Sequence, residues 1–189
     1  MTDFASEHRD RRQPIWGRIW PAALGMLVAA GTAYRLVDAR EVATIVVASG
    51  LVYLAASVFR RRGAAWIAFA VTFLLITLDK FAGVDALPWM LALVGAALIS
   101  GLALHRTQPR WSFPLQAAAM LLLSLAACAA LQLNTAAGGA LVTGALLAHA
   151  AWDIHHHRLD RVVSRSFAEF CAVLDVIVAV VVAVAAFRS

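Results

Sequence analysis

Apolar residues run along this chain in seven long blocks separated by short polar breaks. That pattern is neither the alternation of a half-buried strand nor the one-sided stripe of a surface helix. A helix needs about 20 consecutive apolar residues to cross the hydrocarbon core of a bilayer. Blocks of that kind lie at 15–36, 42–59, 64–82, 84–104, 112–132, 136–157 and 166–187. The breaks between them are Val37–Glu41, Arg60–Gly63, a few residues about Gly83, His105–Arg110, Asn134–Thr135 and Arg158–Arg165. Connections this short make consecutive helices antiparallel neighbours. The predicted fold is therefore an all-α membrane protein, a seven-transmembrane helix bundle. Residues 1–14 form a cytoplasmic tail and residues 15–189 a single transmembrane domain. Trp16, Trp20, Trp66, Trp89 and Trp111 fall near the ends of the blocks, where indole rings settle at the membrane–water boundary.

Composition agrees with this pattern. The chain has 189 residues, 62% of them hydrophobic and only 14% charged, which excludes an ordinary soluble domain. In a soluble protein a net charge of +5 would point to nucleic acid; here the placement of the arginines carries the information, and no nucleic-acid partner is expected. With seven crossings, Arg9, Arg11, Arg12, Arg60, Arg61, Arg62, Arg106, Arg110, Arg158, Arg161 and Arg165 share one side. Arg35, Arg40, Lys80 and Arg188 lie opposite. The positive-inside rule then sets the N-terminus in the cytoplasm and the C-terminus outside. Arginine used almost to the exclusion of lysine, with abundant alanine, fits a bacterial gene of high GC content and the inner membrane. The stretch before Trp16 lacks a small-residue cleavage site after a short apolar core, so it reads as a tail and not as a cleaved signal peptide. Cys128 and Cys171 both fall within apolar blocks as small fillers, with no disulfide framework.

A faint internal echo links the first three blocks to the last three. Trp20-Pro21 resembles Phe113-Pro114, Met26 aligns with Met120, and Ser49-Gly50 with Thr143-Gly144. The echo predicts a weak 3+1+3 parallel repeat of the kind some small transporters use. Small residues recur at close-packing spacings, such as Gly25 with Ala29, Gly95 with Ile99 and Ser100, and Gly138 with Val142; they serve helix contact and carry no assigned chemistry.

Candidate chemistry gathers between His149 and Asp175. Ionisable groups cost at least a few kcal/mol in hydrocarbon unless they pair or line a polar cavity. At 100° per residue, His149, Asp153 and His156 fall within about 60° of one another on the sixth helix, with His157 just beyond; Trp152 and His155 point elsewhere, toward lipid or the headgroups. A turn centred near 160–162 brings His149 to the depth of Asp175, and Asp153 to that of Glu169 and Phe170. Glu169 lies about 120° from Asp175 around the seventh helix, so the two carboxylates face different neighbours.

Imidazole and carboxylate are the usual ligands of borderline divalent metals. His149, Asp153 and His156 are accordingly the predicted ligands of a divalent metal: zinc, iron, manganese or copper. Glu169 and Asp175 are the candidate catalytic groups, completing the shell, orienting a histidine or acting as base on metal-bound water. The competing reading is structural, a His–Asp pair that locks two helices together. His155, His156, His157 and Arg158 also suit an interfacial basic patch that attracts anionic headgroups. Asp79 and Lys80 close the third block, where they can pair or reach water.

Seven spans with a His–Asp cluster invite comparison with the membrane hydrolases that include alkaline ceramidases and adiponectin receptors. Those proteins carry a serine and a histidine four apart on the second helix and two histidines on the last, whereas here neither span holds a histidine. A microbial rhodopsin would need a lysine in the seventh helix, and the one lysine is Lys80. No family is assigned. The expectation is a metal-dependent membrane enzyme acting on a lipidic or small hydrophobic substrate, with membrane lipids as partners and a homo-oligomer or a membrane-complex subunit as possible assemblies. A small proton-coupled transporter and a non-enzymatic accessory or scaffold subunit are the alternatives.

Overall fold

The computed structural model describes residues 15–34, 36 and 38–188, with the side chains of residues 39 and 40 left aside. The predicted tail, with Arg9, Arg11 and Arg12, lies outside the described residues, as does Arg35. The described chain is all helical: α1 (Ile15–Ala33), a short 3-10 turn (Ala39–Val42), α2 (Ala43–Phe59), α3 (Ala64–Ala82), α4 (Ala86–Ala103), α5 (Phe113–Gln132), α6 (Thr135–Leu159) and α7 (Arg165–Arg188). Each apolar block has become one helix, with bounds within three residues of those read from hydropathy. Four helices, α3, α4, α5 and α7, are long and apolar enough to cross a membrane by length and composition.

Local chemistry sets the ends. Asp85 and Asn134 cap α4 and α6 by accepting from the backbone N–H groups of Leu87 and Ala137 at 3.1 and 2.9 Å. Arg60, Gly83 and Asp160 adopt left-handed conformations that close α2, α3 and α6.

The seventeen residues of α2 explain the architecture. From Ala43 to Val58 every residue is buried, because this helix is apolar or small on every side and has no face that prefers water or lipid. It packs against α3, α4, α5 and α6 as the central helix. Around it α1 packs on α7, α7 on α6, α6 on α5, α5 on α4 and α4 on α3. Close approaches depend on specific glycines. A Cβ on Gly25 would lie 2.7 Å from the Phe170 carbonyl oxygen of α7, and one on Gly101 would lie 2.0 Å from the Phe113 ring. Gly95, grouped with Gly25 from its spacing, would meet nothing within 4 Å.

Loops 60–63, 104–112 and 160–164 share one end of the bundle. Arg60 donates to the Gln108 carbonyl at 2.8 Å, Arg106 to that of Val58 at 3.1 Å, and Arg62 pairs with Asp160 at 3.0 Å. The Arg161 guanidinium stands 5.0 Å from the centre of the Trp111 ring. At the opposite end, Glu41, Asp79, Lys80 and Asp85 border a shared hollow. Two of the paired positions of the internal echo differ in their surroundings. Met26 is half exposed where Met120 is fully buried, and Gly50 abuts Met120 Sδ where Gly144 faces open space.

Candidate metal centre

The α6–α7 hairpin closes at Asp160, and α2 lies against its inner face. His149 and Asp153, one turn apart on α6, thus face Asp175 at the middle of α7 and Ser49 and Tyr53 one turn apart on α2. His149 Nδ1 stands 2.7 Å from Asp175 Oδ2 and 3.3 Å from Asp153 Oδ2. The outer oxygens are held from α2: the Tyr53 hydroxyl donates to Asp153 Oδ1 at 2.6 Å, and Ser49 makes a longer bond of 3.4 Å to Asp175 Oδ1. Both carboxylates are thereby turned so that their free oxygens converge on one imidazole nitrogen. Asp153 is fully buried, and Asp175 and His149 nearly so.

Charge makes this arrangement informative. Two ionised carboxylates here would bring two negative charges into an apolar core, where each uncompensated ion costs several kcal/mol. Among the described residues the recorded ion-pair partner of both is His149, which can return at most one positive charge. Asp153 Oδ2 and His149 Nε2 are buried without a hydrogen-bond partner. The convergent atoms of His149, Asp153 and Asp175 lie within 4.8 Å of one another, so the group can hold a metal ion. Ligands about 2.0–2.1 Å from a tetrahedral ion stand roughly 3.3 Å apart, which matches the His149–Asp153 separation. The His149–Asp175 distance would have to open by about half an ångström.

His149 and Asp175 meet at the depth predicted for them. The carboxylate partners of Asp153 are Tyr53 and His149. His156, predicted as the third ligand, joins a neighbouring hydrogen-bonded group. Gln116 Oε1 accepts from Trp152 Nε1 at 3.2 Å, which leaves the Gln116 amide nitrogen to donate to His156 Nε2 at 3.2 Å. His156 Nδ1 then donates to the Trp152 carbonyl at 3.0 Å, so both ring nitrogens are occupied. Trp152 consequently turns inward and lies 4.9 Å from the His156 ring, not out toward lipid. His155 is exposed, and Glu169 is half-buried and does not belong to the convergent group. Tyr53 separates the two groups, packing edge-on against His149 at 5.4 Å and His156 at 4.9 Å.

Tyr53 and Gln116 were not among the residues singled out from the sequence, and Ser49 entered only through the internal echo, with no site role. The available signal was the i, i+4 spacing of Ser49, Tyr53 and Ser57 on an otherwise apolar helix, which places three hydroxyls on one face. Among the described residues, fold and site together define an all-helical membrane-type protein with four helices fit to cross a membrane and a buried His/Asp/Asp group able to hold a metal. The chain matches no protein-family profile, no curated protein and no solved structure.

Proposed function

We propose that this is a metal-dependent enzyme of the bacterial inner membrane. In this reading all seven helices cross the bilayer, the N-terminus is cytoplasmic, and the substrate is lipidic or a small hydrophobic molecule. The observation that carries the metal assignment is the convergence of Asp153 Oδ2 and Asp175 Oδ2 on His149 Nδ1 in an apolar core. A divalent ion held by neutral imidazole and two carboxylates makes the site electrically neutral with both carboxyl groups ionised. Three protein ligands leave room for water or substrate, the mark of catalytic metal sites. Two carboxylates and no thiolate form a hard set that suits manganese or iron, with zinc next and copper least. Tyr53 and Ser49 would orient the ligands from behind, Tyr53 through the shorter bond.

The test is metal content, measured by mass spectrometry on protein purified in detergent without added metal, together with an optical spectrum. One equivalent is expected in the wild type and in His156→Ala, and none in His149→Ala or Asp175→Asn. Absence of metal from wild-type protein sinks the reading. A Soret band would redirect it to haem.

A second reading, proton-coupled transport, draws on the same imidazole–carboxylate pair at the middle of α7. Flux in vesicles that ignores an imposed pH gradient would exclude it.

A further inference from the structure

The circuit of helices around α2 is open between α1 and α3. These helices meet at one end where Trp20 stacks on Trp66, ring centroids 5.7 Å apart. At the other end Lys80 Nζ donates to the carbonyls of Thr32 and Gly31 at 2.8 and 3.4 Å. Between these closures lies a cavity of about 510 Å³ walled by apolar side chains, Leu27 and Val28 from α1 and Phe73 and Ile76 from α3. Its floor includes Ser49 of α2 and Cys171 of α7. On α2, Ala48 and Ser49 line this gap and each keep 8% exposure, whereas Val47 and Leu54 are at 0%. The hydroxyl of Ser49 is bonded to Asp175, so the floor of the cavity is the back of the His149/Asp153/Asp175 group.

We propose that this gap is a lateral window that admits the hydrocarbon chain of a membrane lipid, which lies against Ser49 and Cys171 beside the metal-binding group. The volume falls within the roughly 300–1,000 Å³ of small-ligand sites. The closures stand at the two ends of the helices, so the opening faces the side of the bundle, where a helix bundle in a bilayer meets lipid. Depth selects the part of the lipid. Asp175 lies about 15 Å along α7 from Arg165, half of the roughly 30 Å hydrocarbon thickness. At that level a bilayer lipid presents its chain and not its headgroup. The inference deepens the functional reading above and rests on its membrane-embedded site, but the two are separable by experiment.

The protein is reconstituted in nanodiscs of phosphatidylethanolamine and phosphatidylglycerol doped with a phospholipid bearing a mid-chain diazirine, irradiated, and digested for peptide mass spectrometry. Adducts are expected on Leu27, Phe73 and Cys171 in excess over Leu122 and Val180, which are exposed on outer faces of α5 and α7. An even distribution over these positions in wild-type protein overturns the window. Val28→Trp and, independently, Gly31→Phe fill the cavity; at Gly31 an added Cβ meets nothing within 4 Å. Either variant that keeps the wild-type melting temperature and metal content should lose the Cys171 adduct, and its retention also overturns the proposal. His149→Ala should lose metal and keep the adduct. Metal without groove adducts defeats the window alone, and adducts without metal defeat the metal reading alone.

Discussion

At the scale of single residues, the site depends on which oxygens are held from behind. Tyr53 fixes Asp153 through a 2.6 Å bond and packs its ring between His149 and His156, whereas Ser49 reaches Asp175 only at 3.4 Å. A hydrogen bond to a charged group contributes about 1.5–3 kcal/mol, and a partner that orients a metal ligand is worth roughly 10–100-fold in metal affinity. Tyr53→Phe keeps the ring and removes the donor. It should therefore lower the thermal stability of the metal-free protein and weaken metal binding by about that factor, while Ser49→Ala has the smaller effect in both. Calorimetric metal titration and a melting curve check the pair. Equal effects, or none for Tyr53→Phe, would show that the short bond does not position Asp153. The helical spacing of His149 and Asp153 and the antiparallel register that brings Asp175 to His149 were legible in the sequence. His156 lies outside the convergent group, because arc on a helical wheel does not report whether a neighbouring helix supplies an amide. Gln116, forty positions away, supplies it.

At the scale of elements, helix existence and extent were open to reading because a block of apolar residues bounded by short polar breaks has few alternatives in three dimensions. Which helix lies at the centre was not, since α2 differs from its neighbours in burial more than in hydropathy. The glycines show why. Gly95 and Gly101 both lie on α4, yet only Gly101 receives a ring, with the Phe113 carbon Cε2 2.0 Å from where a Cβ would stand. Gly101→Ala forces that ring and the start of α5 to shift, at a cost of about 1–3 kcal/mol for overpacking. Gly95→Ala on the same helix should leave the melting temperature near that of wild type. Denaturation of both variants in one detergent checks the contrast, and Phe113→Leu should restore part of the stability lost in Gly101→Ala. Equal tolerance of alanine at the two sites would mean that α4 and α5 do not pack this closely.

At the scale of the whole molecule, the bundle has two chemically different ends. Loops 60–63, 104–112 and 160–164 bring arginines together at one, where Arg60, Arg62 and Arg106 are tied to other loops or helix ends. The other carries Glu41, Asp79 and Asp85 around Lys80. Clustering of like charges is unfavourable in itself, and these ties to carbonyls and Asp160 offset part of the repulsion. The asymmetry sets the orientation predicted for the proposed seven-span bundle: lysine and arginine in short loops are retained on the cytoplasmic side. Alkaline phosphatase fused within 60–63 or 160–164 should be inactive and green fluorescent protein there fluorescent, with the reverse after Gly83. Replacing Arg60, Arg61 and Arg62 together with alanine should produce molecules of mixed orientation, because it removes charge flanking both α2 and α3. Reporters giving the same answer at 60–63 and after Gly83 would mean that α3 does not cross. In that event the opening between α1 and α3 would no longer face lipid, and the position of the metal group relative to the bilayer would have to be reassigned along with it.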